Sequence, residues 1–291
     1  MTSVRQVLGI AMLAFLWLAE GAVGQSATPF PQPGIAAVVP SQPVSRPISP
    51  VRRAKGLCLA PRELVQFNAA LPNLARSVAK GDQISIICFG SSSTAGSGAS
   101  SPQASYPARL DAELDERFPG KDFLVDNQGT GGQLARDMLD RMHSHIAGVK
   151  QAPALVIWQT GVNDAIQDVG VREFTEVLTR GVLDLRSAGI DVVLVDMQYY
   201  PRSERVAVYD DYLKAMRQVA ETHKVPLFRR FAIMKHLVKS GQHTPEQLLA
   251  PDNFHLNDLS YGCLADLMAD AIEEQIKTGR VTASQLQQPK R

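Results

Sequence analysis

Asp252-Asn-Phe-His255 places a carboxylate three residues before an imidazole, in a polar stretch that follows Pro251. Far upstream, Gly90-Ser-Ser-Ser-Thr94 closes an apolar run with a cluster of hydroxyl groups. These residue types suit nucleophilic catalysis. A serine attacks a carbonyl well only when a base takes its proton, and a histidine held in one tautomer by a carboxylate is such a base. Each piece also has an ordinary explanation by itself. Serine and threonine cap helices, and an aspartate near a histidine can form a local hydrogen-bonded turn. Position argues for the first reading, because Asn127-Gln-Gly-Thr-Gly-Gly132 and Thr160-Gly-Val-Asn-Asp164 also follow apolar runs and bring the amide donors that a developing oxyanion needs.

Competing chemistries fail on spacing. A phosphate loop needs a lysine followed by Ser or Thr after its last glycine, and neither residues 90–100 nor 129–132 supply one. The dinucleotide fingerprint fails at its third glycine in Gly129-Thr-Gly-Gly-Gln-Leu134. His143 and His145 are two apart and would point to different faces of a helix, and Asp252 with His255 lacks the further ligands of a zinc site. No metal and no cofactor is expected. The Gly-x-Ser-x-Gly elbow of the α/β-hydrolases is absent from the sequence.

The elements that would position these residues follow from hydrophobic patterning. Residues 84–89 form a short β-branched run bounded by glycines, the pattern of a strand buried on both faces. Further strands are expected over 123–126, 154–159, 190–196 and, weakly, 225–229. Helical periodicity covers 61–80, 107–118, 133–147, 173–188, 209–223 and 259–277. Strands alternating with helices predict an α/β protein, a three-layer α/β/α sandwich around a five-stranded parallel sheet. With the first strand between the second and third, Ser92, Gly132 and Asn163 meet at the carboxyl edge of the sheet, where such folds place their ligands.

Composition sets the frame. The chain has 291 residues, and 45% hydrophobic content is enough for one substantial core. A net charge of +1 gives no reason to expect nucleic-acid binding. Arg5, an apolar segment over 7–18 and small residues at 22–24 read as a secretory signal peptide over 1–24, shorter than a bilayer span. An uncleaved N-terminal anchor is the other reading. Residues 25–56 are rich in proline without periodicity and read as a disordered linker, 57–278 as the catalytic domain and 279–291 as a polar tail. The expected location is periplasmic or secreted, with no stable membrane insertion after cleavage. Three cysteines leave at least one unpaired: Cys88 belongs to the buried strand, and Cys58 and Cys263 can bond if the two ends of the domain meet.

Gly90-Ser-Ser92, Asn127-x-Gly-x-x-Gly132, Gly161-x-Asn-Asp164 and Asp252-x-x-His255 together resemble the four blocks of the SGNH (GDSL-like) hydrolases, in order, over residues 82–274. The resemblance implies a flavodoxin-like SGNH fold and a serine hydrolase acting on ester bonds. It implies Ser92 as nucleophile, Asp252 and His255 as its triad partners, and an oxyanion hole from Ser92, Gly132 and Asn163. One departure is visible, Ser91 where the family carries aspartate. Asp164 reads as a helix cap. Tyr199 and Tyr200, after the fourth strand, are candidates for the substrate cleft, with packing beneath a loop as the alternative. The expected function is an exported esterase of small acyl groups, O-acetyl foremost, on a carbohydrate or cell-wall glycan. A short-chain lipase or thioesterase, and a non-catalytic glycan-binding protein on the same fold, are the alternatives. The expected partner is an ester substrate, and the sequence sets no oligomeric state.

Overall fold

Ile84–Gly90 forms β1, and all but one of its seven residues are buried, as an uninterrupted apolar run requires. The computed structural model describes residues 57–81 and 83–286; the expected signal peptide (1–24) and linker (25–56) lie outside the described residues. β1 lies between β2 (Phe123–Gly129) and β3 (Leu155–Gln159), and β4 (Asp191–Val195) and β5 (Leu227–Phe228) complete a sheet of order β2-β1-β3-β4-β5. Every pairing is parallel. The first strand therefore stands between the second and third, the arrangement under which the three strand ends converge.

Two helical layers cover the sheet. On one side α2 (Pro72–Lys80), α4 (Tyr106–Arg117) and α11 (Asp258–Leu286) pack together; on the other α5 (Ala135–Gly148), α7 (Val171–Ser187) and α8 (Tyr209–His223) do so. The α7 stripe Phe174, Leu178, Val182 and Leu185 is buried at helical spacing, the pattern of a helix laid on a sheet. Short helices α1 (Arg62–Val65), α3 (Ser92–Ala95), α6 (Val162–Ile166), α9 (Arg230–Lys239) and α10 (Pro245–Leu248) fill the connections.

Several expected boundaries shift, each for a physical reason. The single helix over 61–80 is two helices, α1 and α2. Pro72 opens α2, and a residue before proline is driven from helical geometry; Leu71 sits at φ −117°, ψ 71°. Asp191 at the head of β4 then accepts the Leu74 amide at 2.9 Å and fixes the new start. β2 extends three residues past Asp126, because it stays in register with β1 up to the Gly90–Gly129 pair. Its partly exposed polar residues belong to an edge strand and lack the apolar signal. Residues 162–166, outside the helical stretches read from patterning, make the turn of α6. The last helix continues past Lys277 to Leu286. Gly279 allows this, since a Cβ there would lie 2.9 Å from the Cβ of Ala75 on α2.

Arg117 locks α4 to α11. Its guanidinium, 2% exposed, meets Glu113, Asp266, Asp270 and Glu273. Cys58 and Cys263 are joined in a disulfide, Cα–Cα 5.7 Å, which ties the start of the domain to α11. A crosslink of this reach contributes roughly 2–5 kcal/mol. Cys88 remains a free buried thiol, pushed up by burial. A thiol count on denatured protein from an oxidising compartment should therefore find one thiol, whereas three would contradict the bridge. Among the described residues no helix is long and apolar enough to cross a membrane.

Candidate active site

β1 ends at Gly90 because nothing larger fits there. A Cβ on Gly90 would lie 2.0 Å from Thr94 Oγ1 and 2.8 Å from Gln159 Oε1. The chain turns at once, Ser91 is extended, and Ser92 opens the four-residue α3. A strand stopping this abruptly into a short helix lifts the Ser92 hydroxyl above the edge of the sheet. Gln159, the last residue of β3, grips the turn from below: its Oε1 accepts from the Ser91 amide (3.1 Å), Ser91 Oγ (3.2 Å) and Thr94 Oγ1 (3.1 Å). Ser91, in place of the family's aspartate, thus serves the turn as a neutral donor.

The histidine arrives from the loop between α10 and α11. His255 Nε2 lies 2.8 Å from Ser92 Oγ, and His255 Nδ1 lies 2.6 Å from Asp252 Oδ2. Asp252 Oδ1 also accepts the amides of Phe254 (3.0 Å) and His255 (2.9 Å). Partial burial works to raise the Asp252 carboxyl, but the bonds from the His255 ring and these amides outweigh it and hold the group below its ordinary range. The three-residue spacing has a direct cause here, since the carboxylate caps the turn that carries its own histidine. The loop is braced by the Ala250 amide on the His255 carbonyl (2.8 Å) and by Asn257 Nδ2 on the carbonyls of Gln247 (2.8 Å) and Leu249 (3.2 Å).

The loop after β2 runs beside the serine. The Thr130 amide donates to the Gly90 carbonyl at 2.9 Å, and a Cβ on Gly131 would lie 3.9 Å from the Ser92 Cβ. Gly132 has φ +78° and open space on its Cβ side. Asn163, on α6, donates one N–H of its side-chain amide to the Gln133 carbonyl (2.8 Å), which orients the group and leaves its second N–H for a ligand.

Three positioning residues gave little or no signal in the sequence. Arg141 on α5 binds both ends of the Gly132 loop: Nη2 donates to the Gln128 carbonyl (2.8 Å) and to Gln133 Oε1 (2.9 Å), and Nε to the same Oε1 (3.1 Å). Its guanidinium lies 5.0 Å from the Phe89 ring centre. Gln133 links this clamp to Asn163. Gln159 had the one readable mark, a polar residue ending an apolar strand. Asp164 is a cap, as expected, but of a different helix. It is 1% exposed and accepts the Ala135 amide at the start of α5 (3.0 and 3.2 Å), so it fastens the α6 turn to the Gly132 loop. Burial pushes its carboxyl up to about 6 against those amide bonds.

The two tyrosines differ. Tyr199 packs edge-on against Phe231, while Tyr200 packs against Phe254, whose ring in turn meets the His255 ring with centres 4.9 Å apart. Both are under 10% exposed, so most of each ring is packing. His143 and His145 diverge, towards Asp184 and Asp126.

A hydroxyl, an imidazole and a carboxylate in one hydrogen-bonded line, beside an oriented amide, at the carboxyl end of a parallel sheet define an SGNH-like hydrolase architecture. The chain belongs to the Non-GDSL lipase-like family, whose model matches residues 57–278. No curated protein matches it. Among solved structures it is similar to a two-domain esterase (CEX) active on acetylated mannans, with 21% identity over 73% of this chain and 56% of that one and a TM-score of 0.61. The chain thus spans little more than half of that relative. It is also similar to LAE5, an alpha/beta hydrolase enzyme from the metagenome of Lake Arreo, with 26% identity, 66% and 96% coverage and a TM-score of 0.53. A third likeness is to Axe2, an acetyl xylan esterase from Geobacillus stearothermophilus, with 21% identity, 66% and 94% coverage and a TM-score of 0.55.

Proposed function

We propose that the protein is an exported serine esterase that removes small acyl groups, acetyl foremost, from a carbohydrate. The observation that carries the reading is the line Ser92 Oγ–His255 Nε2, His255 Nδ1–Asp252 Oδ2, at 2.8 and 2.6 Å. His255 takes the Ser92 proton as Oγ bonds to the ester carbonyl carbon, and Asp252 stabilises the imidazolium that forms. Negative charge gathers on the carbonyl oxygen, where the Ser92 and Gly132 amides and the free N–H of Asn163 donate to it. Collapse expels the alcohol, which takes the proton from His255 and leaves an acyl-serine. Water, activated by the same histidine, then releases the acid. No cofactor enters these steps.

The acyl group and the glycan are drawn from similar structures. Similar folds act on acetylated mannans and acetyl xylan, and export rests on the composition of residues 1–24. The test is turnover of p-nitrophenyl esters of rising chain length by wild type and Ser92→Ala. Activity should be highest on acetate, fall with length and vanish in the variant. A rate rising with length would replace the reading with a lipase or thioesterase, and a complete lack of Ser92-dependent turnover would favour a glycan-binding protein.

A further inference from the structure

A groove of about 320 Å³ opens beside the catalytic line, between Ala165, Ile166, Tyr200, Arg202, Val206 and Phe254. Two of its walls belong to the site itself. Phe254 precedes His255 and touches its ring, and Ala165 and Ile166 continue the α6 turn that carries Asn163. The groove's surface is apolar, with Ile166 51% exposed, except at the lip.

The lip is cationic. Arg202 is exposed, and its side chain makes no hydrogen bond or ion pair among the described residues; Arg205 is in the same state. The Arg205 amide donates to the Arg202 carbonyl at 3.0 Å within a 3₁₀ turn, and residues three apart in such a turn project to the same side. Glu204, the acid between them, is taken by Lys235 at 2.9 Å. Two exposed arginines therefore share one turn with no carboxylate of their own, and Arg202 lines the apolar trough. The net charge of the whole chain is only +1, so this is a local concentration.

We propose that the groove is a sugar subsite and that it selects an acidic glycan, with the carboxylate of a uronic-acid residue paired to Arg202 and supported by Arg205. The proposal rests on the esterase reading for its biological sense. A sugar ring has an apolar face that suits Ile166, Val206 and Phe254, and a ring carboxylate matches the planar fork of a guanidinium.

Binding tests this without reference to catalysis. Calorimetry of the full protein would compare oligogalacturonate with neutral xylo-oligosaccharide of equal length, for wild type, Arg202→Gln and Arg202→Glu, with folding checked by thermal melts. Wild type should bind the acidic oligomer more tightly, and Arg202→Gln should lower that preference by about 10- to 100-fold, the worth of one charge-assisted hydrogen bond. Arg202→Glu should abolish or reverse it. Equal affinity of wild type for both oligomers, or an unchanged preference in folded Arg202→Glu, would overturn the proposal. Turnover of p-nitrophenyl acetate by wild type, run in parallel, scores the esterase reading separately.

Discussion

His255→Ala should lower kcat on p-nitrophenyl acetate by at least about 10⁴-fold, the loss that follows when a triad loses its base. The size follows from the hydrogen bond between His255 Nε2 and Ser92 Oγ. No other imidazole is bonded to that hydroxyl among the described residues, and without a base the serine must attack as a neutral alcohol. Folding should survive the change. His255 is partly exposed and its loop is braced by backbone bonds at Ala250 and by the Asn257 side chain. Ser92→Ala should fall to the same floor, and the double variant should fall no further, because residues that act as a unit are not additive. A steady-state assay with a melting curve for each variant checks both points. A folded His255→Ala protein retaining more than a tenth of the wild-type rate would remove this histidine from the mechanism.

Asn163→Ala should cost about 10²- to 10³-fold in kcat with little change in KM, because the lost donor acts where charge develops in the transition state. The orientation of that amide is inherited. One of its N–H groups is spent on the Gln133 carbonyl, and Gln133 is itself held by Arg141. Arg141→Met should therefore also lower kcat rather than raise KM, by a smaller factor, and the two changes should be less than additive when combined. A purely structural role for Arg141 would show as a lowered melting point with additive kinetics. Replacing Asn163 without loss of rate would mean that the oxyanion is held by other donors.

The parts of this site written in local spacing were legible in the sequence. Asp252 and His255 are three residues apart because the carboxylate caps the turn that carries the ring. An apolar strand ending in glycine and hydroxyls marked the stretch around Ser92, the resemblance to the SGNH hydrolases singled that serine out, and the parallel sheet was readable from β/α alternation. Tertiary decisions were not. Arg141 has no periodic or motif signal, since its value comes from two carbonyl and amide oxygens up to thirteen residues away in a loop. Asp164 was readable as a cap, but which helix it caps depends on a contact across 29 residues. The split between α1 and α2 was available in Pro72, where the rule for residues before proline outweighs the helical spacing of leucines. The length of α11 was not, because it depends on Gly279 meeting Ala75. The pairing of Cys58 with Cys263 lies between these cases: parity suggested it, and only the meeting of the domain's two ends fixes it.

The central claim is that Ser92 is the nucleophile, and covalent labelling tests it most directly. Wild type treated with a fluorophosphonate and digested should carry one phosphonyl group on the peptide containing Ser92. Ser92→Ala should take up none, and His255→Ala should label far more slowly. Stoichiometric label on the Ser92→Ala protein, or on a peptide lacking residue 92 in wild type, would contradict the account.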